Sequence, residues 1–301
     1  MSTPPRIGFL GLGIMGKEMV LRLRERGFPL TVWNLEPERV PLVTGAGAVA
    51  AASPKAVAEA CDILCLCVLH AAAGENCCFG PEGAAEVPGR GRLVVDFSTV
   101  NPDDTRRIAA RMAEAGWRWV DAPVSGGPGA AREGRLTVMV GGEAPDVARA
   151  RPVLEALSAN LTHLGPLGAG QTAKIANQAI VGVGYVLMAE VLALVEKAGL
   201  DPALLPKALA GGMADSTILQ RIFPQQAARA FDPPRSYARQ LDKDLLNVRP
   251  FLRDLGLELP LIEAAVERYH TYAQANPMAD GASVSRLYEG GPTGRAGRPL
   301  A

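Results

Sequence analysis

Residues 6–16 read RIGFLGLGIMG, and residues 30–34 read LTVWN. An apolar strand, Arg6 to Leu10, runs into the glycine pattern GxGxxG. That pattern opens a helix with apolar positions at Met19, Val20 and Leu23. A second strand, Leu30 to Asn34, follows, so the glycines stand in the first turn of a βαβ unit, the context that gives this spacing meaning. There Gly11 permits the tight turn, Gly13 lets a pyrophosphate approach the backbone, and Gly16 lets the helix pack on the strand. Leu12, Ile14 and Met15 complete the loop. The pyrophosphate would lie on free N–H groups at the positive end of the helix.

The alternation continues outward from this unit. Ala48 to Ala51 reads as a short third strand, and Ser53 as the N-cap of a helix over Pro54 to Ala60. Ile63 to Leu69 is a fourth strand and Leu93 to Phe97 a fifth. Asn101-Pro102-Asp103-Asp104 opens a helix to about Ala115. Trp119 to Ala122 is a sixth strand, Leu136 to Val140 a seventh, and Val147 to Leu157 a further helix. This order predicts an α/β fold of Rossmann type, a doubly wound and mostly parallel sheet. Past about Leu164 the strand signals stop and apolar residues recur at helical spacing. The spacing predicts one long helix from about Gly170 to Ala198, capped by Gly199 and roughly 43 Å long. Such a helix exceeds one small domain and would join two domains or cross into a second subunit. Helices over Pro202 to Ala210, Ser216 to Ala228, Tyr237 to Leu255 and Pro260 to Ala275 follow. The expected organisation is a dinucleotide-binding domain over 1–165, an all-α substrate and oligomerisation domain over 166–290, and a tail over 291–301 that is flexible by composition.

The chain has 301 residues, 48% of them hydrophobic and 21% charged, with a formal net charge of zero. That balance suits a globular protein with a large core and carries no basic stripe for nucleic acid. A local site for a small anion remains open. The opening MSTPPRIGFLGLG lacks the regions of a signal peptide. The apolar run Ile180 to Val195 carries Glu190 and several glycines, so it is expected to fall short of a membrane span and to form a buried helix. A cytoplasmic location follows as the default. All five cysteines, Cys61, Cys65, Cys67, Cys77 and Cys78, fall in one short region. Their odd number argues against a disulfide framework, and their spacing fits buried core positions better than a metal site.

Three further segments carry chemistry. The second strand ends in VWNLEPER, where an acid would bind ribose hydroxyls and an arginine would favour a 2′-phosphate. Asn34, Glu36 and Arg39 leave the choice between NAD and NADP open. Residues 121–127 read DAPVSGG, where Ser125 with the backbone of Gly126 and Gly127 could receive a carboxylate. Residues 168–178 read GAGQTAKIANQ, which sets Lys174 early in the long helix with Gln178 four residues on, on the same face. Burial and a positive helix end would both lower the pKa of such a lysine, toward the range of acid–base work near neutral pH. Lys243, beside Asp244, would be a second cation.

Taken together, GLGIMG at 11–16, DAPVSGG at 121–127, GAGQTAKIANQ at 168–178 and KDL at 243–245 resemble, in order, the motifs of the β-hydroxyacid dehydrogenase family. The resemblance implies an NAD- or NADP-dependent oxidoreductase that interconverts a small carboxylate-bearing β-hydroxyacid and its semialdehyde, working as a homodimer or homotetramer. It implies Lys174 as the proton-transfer group. Ser125, Gly126 and Gly127 match the substrate-carboxylate segment, with Asn177 and Gln178 beside them. Lys243 matches a lysine near nicotinamide and substrate, Thr99 a residue beside the nicotinamide, and Leu69 and His70 a loop that lines the cofactor. Phe231 matches an aromatic near the active site. Three departures stand out. The family commonly has two asparagines where this chain has Asn177-Gln178, NRT or an aspartate where it has Asn34-Leu35-Glu36, and proline where it has His70. Two other readings are an imine reductase, a class that generally lacks this lysine, and a cofactor-binding scaffold without turnover.

Overall fold

The structure, a computed structural model, describes residues 4–289. The tail expected to be flexible, 291–301, lies outside them. Two compact units divide the chain, one ending at Lys174 and the other beginning at Ile175.

The first unit is built on a nine-stranded sheet of β1 (Ile7–Leu10), β2 (Leu30–Trp33), β3 (Val49–Ala50), β4 (Ile63–Leu66), β5 (Leu93–Asp96), β6 (Arg118–Asp121), β7 (Val124–Ser125), β8 (Leu136–Gly141) and β9 (Ser158–Gly165). Strands β1 to β6 pair in parallel in the order β3-β2-β1-β4-β5-β6, the doubly wound order expected of the glycine-turn unit. Beyond β6 the sheet turns mixed, because β8 runs antiparallel to both β6 and β7 while β9 pairs with β8 in parallel. Seven helices accompany the strands: α1 (Ile14–Glu25), α2 (Pro41–Thr44), α3 (Pro54–Ala60), α4 (Ala71–Phe79), α5 (Pro102–Glu114), α6 (Gly127–Glu133) and α7 (Ala144–Leu157).

Strand alternation sorts the core into two layers. Ile7, Phe9, Ile63, Cys65, Leu93 and Val95 point into one layer, with Met19, Leu23, Val153 and Leu157 from α1 and α7. Leu10, Leu64, Leu66 and Val94 point into the other, with Val57, Ile108 and Met112 from α3 and α5. Both faces are covered, which is why these strands read as continuous apolar runs. Four of the cysteines are buried and Cys67 is half-buried. Burial pushes the Cys61 and Cys77 thiols up to about 12.

Strand β1 sits between β2 and β4, so the chain reverses its direction of winding there and a crevice opens at the carboxyl ends of β1 and β4. The glycine turn closes one side of it. Gly11 adopts φ +99°, and a Cβ there would run into the Cys67 carbonyl at the end of β4.

The long helix α8 (Ala169–Lys197) has 29 residues. The expectation that its apolar run falls short of a membrane span is corrected. The most apolar 18-residue window of α8 has a mean hydropathy of 2.0, enough by length and composition to cross a bilayer, and 50% of that window is buried inside the protein. Its acid, Glu190, accepts a hydrogen bond from the Tyr288 hydroxyl at 2.8 Å.

In the second unit, α9 (Leu205–Leu209), α10 (Thr217–Ala227), α11 (Ala238–Leu246), α12 (Val248–Asp254) and α13 (Pro260–Ala275) follow, with a 3₁₀ stretch over Gly281–Tyr288. Three small cores form along α8, around Ile175 and Ala179, Val186 and Ala189, and Met188 and Leu192. The single helix expected over Tyr237 to Leu255 is instead α11 and α12, broken at Asn247. Pro250 supplies the reason, since it has no N–H to return to Leu246 and its ring crowds that carbonyl. Among the elements the sequence did not mark are α2, β7 and α6, with α4 and β9. Strand β9 is an exposed edge without an apolar repeat, and α4 holds an internal glycine.

Replacing Gly11 with alanine should lower stability by more than about 1 kcal/mol, because the site demands a left-handed backbone and has no room for a Cβ. Urea unfolding of Gly11→Ala would show a reduced midpoint at an unchanged slope. An unchanged midpoint would refute this account of the turn.

Candidate active site

The crevice-facing loop comes first. Gly13 is the N-cap of α1, and a Cβ built on it meets nothing within 4 Å. The first turn of α1 holds no acidic residue, so nothing within the helix offsets its positive end. Open space beside free N–H groups is what a pyrophosphate requires, so the residues present fit a dinucleotide. Gly16 is buried, and a Cβ there would strike the Gly11 carbonyl. Ile14 and Met15 begin the helix, and Leu12 is buried with its N–H donating to Asn34 Oδ1 at 2.7 Å. Asn34, at the end of β2, is therefore bonded to the glycine turn through its carbonyl oxygen.

The second wall lies at the ends of β4 and β5. Leu69 is exposed, and His70 is the N-cap of α4, accepting the Ala73 N–H on Nδ1 at 3.1 Å. That bond fixes which ring nitrogen is unprotonated, so His70 has a structural duty beside any contact with a ligand. Ser98 ties the two ends together. Its Oγ accepts the Val68 N–H at 3.0 Å, and its own N–H donates to Asp96 Oδ1 at 2.9 Å. Thr99 is half-buried immediately after it.

The third wall is the start of α8. Asp121, at the end of β6, is completely buried. Its carboxylate accepts the Gly168 N–H at 2.7 Å and the Gln171 N–H at 2.8 Å, which caps the long helix. Gly170 allows the approach, since a Cβ there would run into the Met139 carbonyl. Burial raises the Asp121 pKa, partly offset by the backbone donors of Gly168 and Gln171. Gln171, also fully buried, reaches back to β5. Its Nε2 donates to the Ser98 carbonyl at 2.8 Å, and its Oε1 accepts the Val100 N–H at 3.2 Å. Thr99 is thus flanked by two residues bonded to the same side chain. Lys174, one turn beyond Gln171 on α8, is buried with 6% exposure. Asp121 also opens the turn to β7, where Ser125 pairs with Thr137. Gly126 and Gly127 follow with φ of +130° and +79°.

Asn177, Gln178 and Lys243 belong to the second unit and form one string there. Asn177 Nδ2 donates to Gln178 Oε1 at 2.7 Å, Gln178 Nε2 donates to Asp244 Oδ2 at 2.7 Å, and Lys243 pairs with Asp244 Oδ1 at 2.7 Å. Phe231 is buried in the same unit, with the Arg286 guanidinium 5.3 Å from its ring centre. Ser98, Asp121 and Gln171 were not singled out by sequence reasoning. Asp121 and Gln171 stand inside the two motifs quoted, and an acid ending a strand before a glycine-rich helix start is the signal that could have marked Asp121.

Comparison with known proteins shows the family. The family described as the NAD binding domain of 6-phosphogluconate dehydrogenase matches residues 6–165. The family described as NAD-binding of NADP-dependent 3-hydroxyisobutyrate dehydrogenase matches residues 168–288. A 2-hydroxy-3-oxopropionate reductase of Escherichia coli (strain K12) is 37% identical over 268 residues, 89% of this chain and 91% of that one. A 3-hydroxyisobutyrate dehydrogenase of Pseudomonas aeruginosa is 36% identical over 94% of this chain and 98% of its own. Among solved structures, Mycobacterium tuberculosis 3-hydroxyisobutyrate dehydrogenase with L-serine superposes with a TM-score of 0.85 at 29% identity, covering 96% of this chain and 100% of that one.

The Asp121 carboxyl has a raised pKa in the folded protein, so its contribution to stability is greatest below the ordinary carboxylate range and falls as pH rises through the raised value. Asp121→Asn removes that titration. Its stability deficit relative to the native chain should be largest near pH about 4 and should shrink toward neutrality. Thermal unfolding of both proteins across that range measures the difference. A deficit that grows with pH would contradict the assignment.

Proposed function

This chain belongs to the β-hydroxyacid dehydrogenase family, and from that premise we propose that it interconverts a small β-hydroxyacid and its semialdehyde, with Lys174 transferring the hydroxyl proton. It is an NAD(P)-dependent oxidoreductase acting on CH–OH groups. When bound, the nicotinamide accepts hydride from the carbinol carbon or returns it. Everything else falls to the protein.

The observation that carries the reading is the burial of Lys174 one turn past a helix start held by Asp121 and Gln171. A lysine at 6% exposure is uncommon in a protein interior. Its amine gives a proton to the carbonyl oxygen in reduction and takes one from the hydroxyl in oxidation. Ser125, with the backbone N–H groups of Gly126 and Gly127, receives the substrate carboxylate and so decides which carbon faces the hydride position. Two successive residues at positive φ supply the concave backbone that such a receptor needs. Asn177 and Gln178 are taken as further substrate-binding residues. Lys243 bears its charge there as half of an ion pair. The relatives named above act on three-carbon and branched hydroxyacids, and the substrate here is taken to be of that class.

A stripe on α8 supports a homodimer or homotetramer. Ile180, Leu187 and Leu194 recur at one heptad spacing and are 68%, 47% and 67% exposed, a face that a second copy would cover. Sedimentation showing a monomer at working concentration would remove this part of the reading.

The decisive experiment follows NADH and NADPH consumption with tartronate, methylmalonate and succinate semialdehydes and with glyoxylate. Lys174→Ala should lower turnover by about 10²- to 10⁴-fold while cofactor binding, titrated separately, persists. Turnover indifferent to Lys174, or cofactor binding with no turnover on any of these carbonyls, would defeat the proposal and favour an imine substrate or a scaffold.

A further inference from the structure

The cofactor preference left open by the sequence can be argued from the end of β2. Three side chains there carry the chemistry that would meet an adenosine ribose: Asn34, Glu36 and Arg39. Asn34 is buried. Its Oδ1 accepts the Leu12 N–H of the glycine turn, and its Nδ2 donates to both the Glu36 carbonyl at 3.0 Å and Glu36 Oε2 at 2.8 Å. Its NH₂ group therefore has no hydrogen left to donate to a phosphate. The amide acts as a strut that ties the Glu36 carboxylate to the pyrophosphate turn, one side-chain amide away from it.

We infer that Glu36, held in this position by Asn34, selects NAD(H) over NADP(H). This rests on the dehydrogenase reading above and deepens it. In a glycine-turn βαβ unit the ribose lies at the end of the second strand, where an acid accepts its hydroxyls. A carboxylate with 54% side-chain exposure, anchored on one oxygen by Asn34, still has acceptor capacity for a ribose hydroxyl. The same carboxylate would face a 2′-phosphate charge on charge, and discrimination of this kind rests as much on the repulsive element as on the attractive one. Leu35, 69% exposed between the two, has no donor to offer a phosphate. Arg39 sits on the short turn Pro37–Arg39, and its Nε already faces Glu36 Oε2 at 3.6 Å. A phosphate seeking that guanidinium would have to compete with a carboxylate fixed by a buried amide.

The test is calorimetric titration of the full chain with NADH and with NADPH, which needs no turnover. The native protein should bind NADH at least about tenfold more tightly. Glu36→Gln keeps an oxygen for Asn34 and removes the charge, so the ratio should fall by about tenfold, with the gain on the NADPH side. Unfolding temperatures of both proteins verify that the turn is intact. Equal or tighter binding of NADPH by the native chain would overturn the inference, and so would a ratio unmoved by Glu36→Gln. An NADPH preference lost in Arg39→Ala would hand the role to Arg39. Those outcomes leave the dehydrogenase reading standing, whereas binding of neither cofactor would overturn both.

Discussion

The site depends on one buried carboxylate. Asp121 is withdrawn completely from water, which disfavours its charged form. Two backbone N–H groups and the positive end of a long helix offset that penalty. Because Gly168 and Gln171 both bond to it, the carboxylate sets where α8 begins and its rotational phase. The phase decides which residues of the first two turns face inward. Gln171 turns back to the end of β5, and Lys174, about one turn later, is buried. A shift of one residue in the helix start would rotate that lysine by about 100°. The glycines of the GAG turn serve the same end by letting the helix start close against β8.

Two neutral amides extend the constraint. Gln171 joins the start of α8 to Ser98 and Val100, and Asn34 joins the glycine turn to Glu36. Asn34 accepts a backbone N–H from one loop and donates to another, and Gln171 does both with the loop after β5. A carboxylate could only accept and an ammonium could only donate, so an amide is the side chain suited to bridge loops that present both a donor and an acceptor. The bridges carry no charge. Buried networks of this kind are worth having only when every member is satisfied, and Asn34 and Gln171 meet that condition at both ends.

Most of the first unit was legible, because its elements are the kind that pattern reveals. Strands covered on both faces read as apolar runs, Ser53 caps its helix as expected, accepting the Ala56 N–H at 3.2 Å, and the glycine turn fixed the topology. What was hidden is equally physical. Strand β9 is exposed along most of its length, so no apolar period marks it. Helix α4 depends on a histidine cap, a residue type seldom read as a helix start. The break at Asn247 needed weight to be given to Pro250. In the site, Lys174 and Ser125 stood out as groups with chemistry of their own. Asp121 and Gln171 act only through partners more than 40 residues away, 47 and 50 for the two helix caps and 71 and 73 for the amide, and no local window contains both members of such a pair.

The second unit shows what the departure at Gln178 does. With asparagine in its place the side chain would be one methylene shorter, whereas the glutamine Nε2 reaches Asp244 at 2.7 Å while its Oε1 accepts from Asn177. Asp244 in turn pairs with Lys243. Lys243, read from the sequence as a second cation beside Asp244, is one half of a pair whose field falls off faster than that of a single charge. The pair is itself tied to the helix that carries Lys174. The longer amide thus couples Asn177 to the Lys243–Asp244 ion pair. A change at Gln178 would therefore disturb Asn177 and the Lys243–Asp244 pair together.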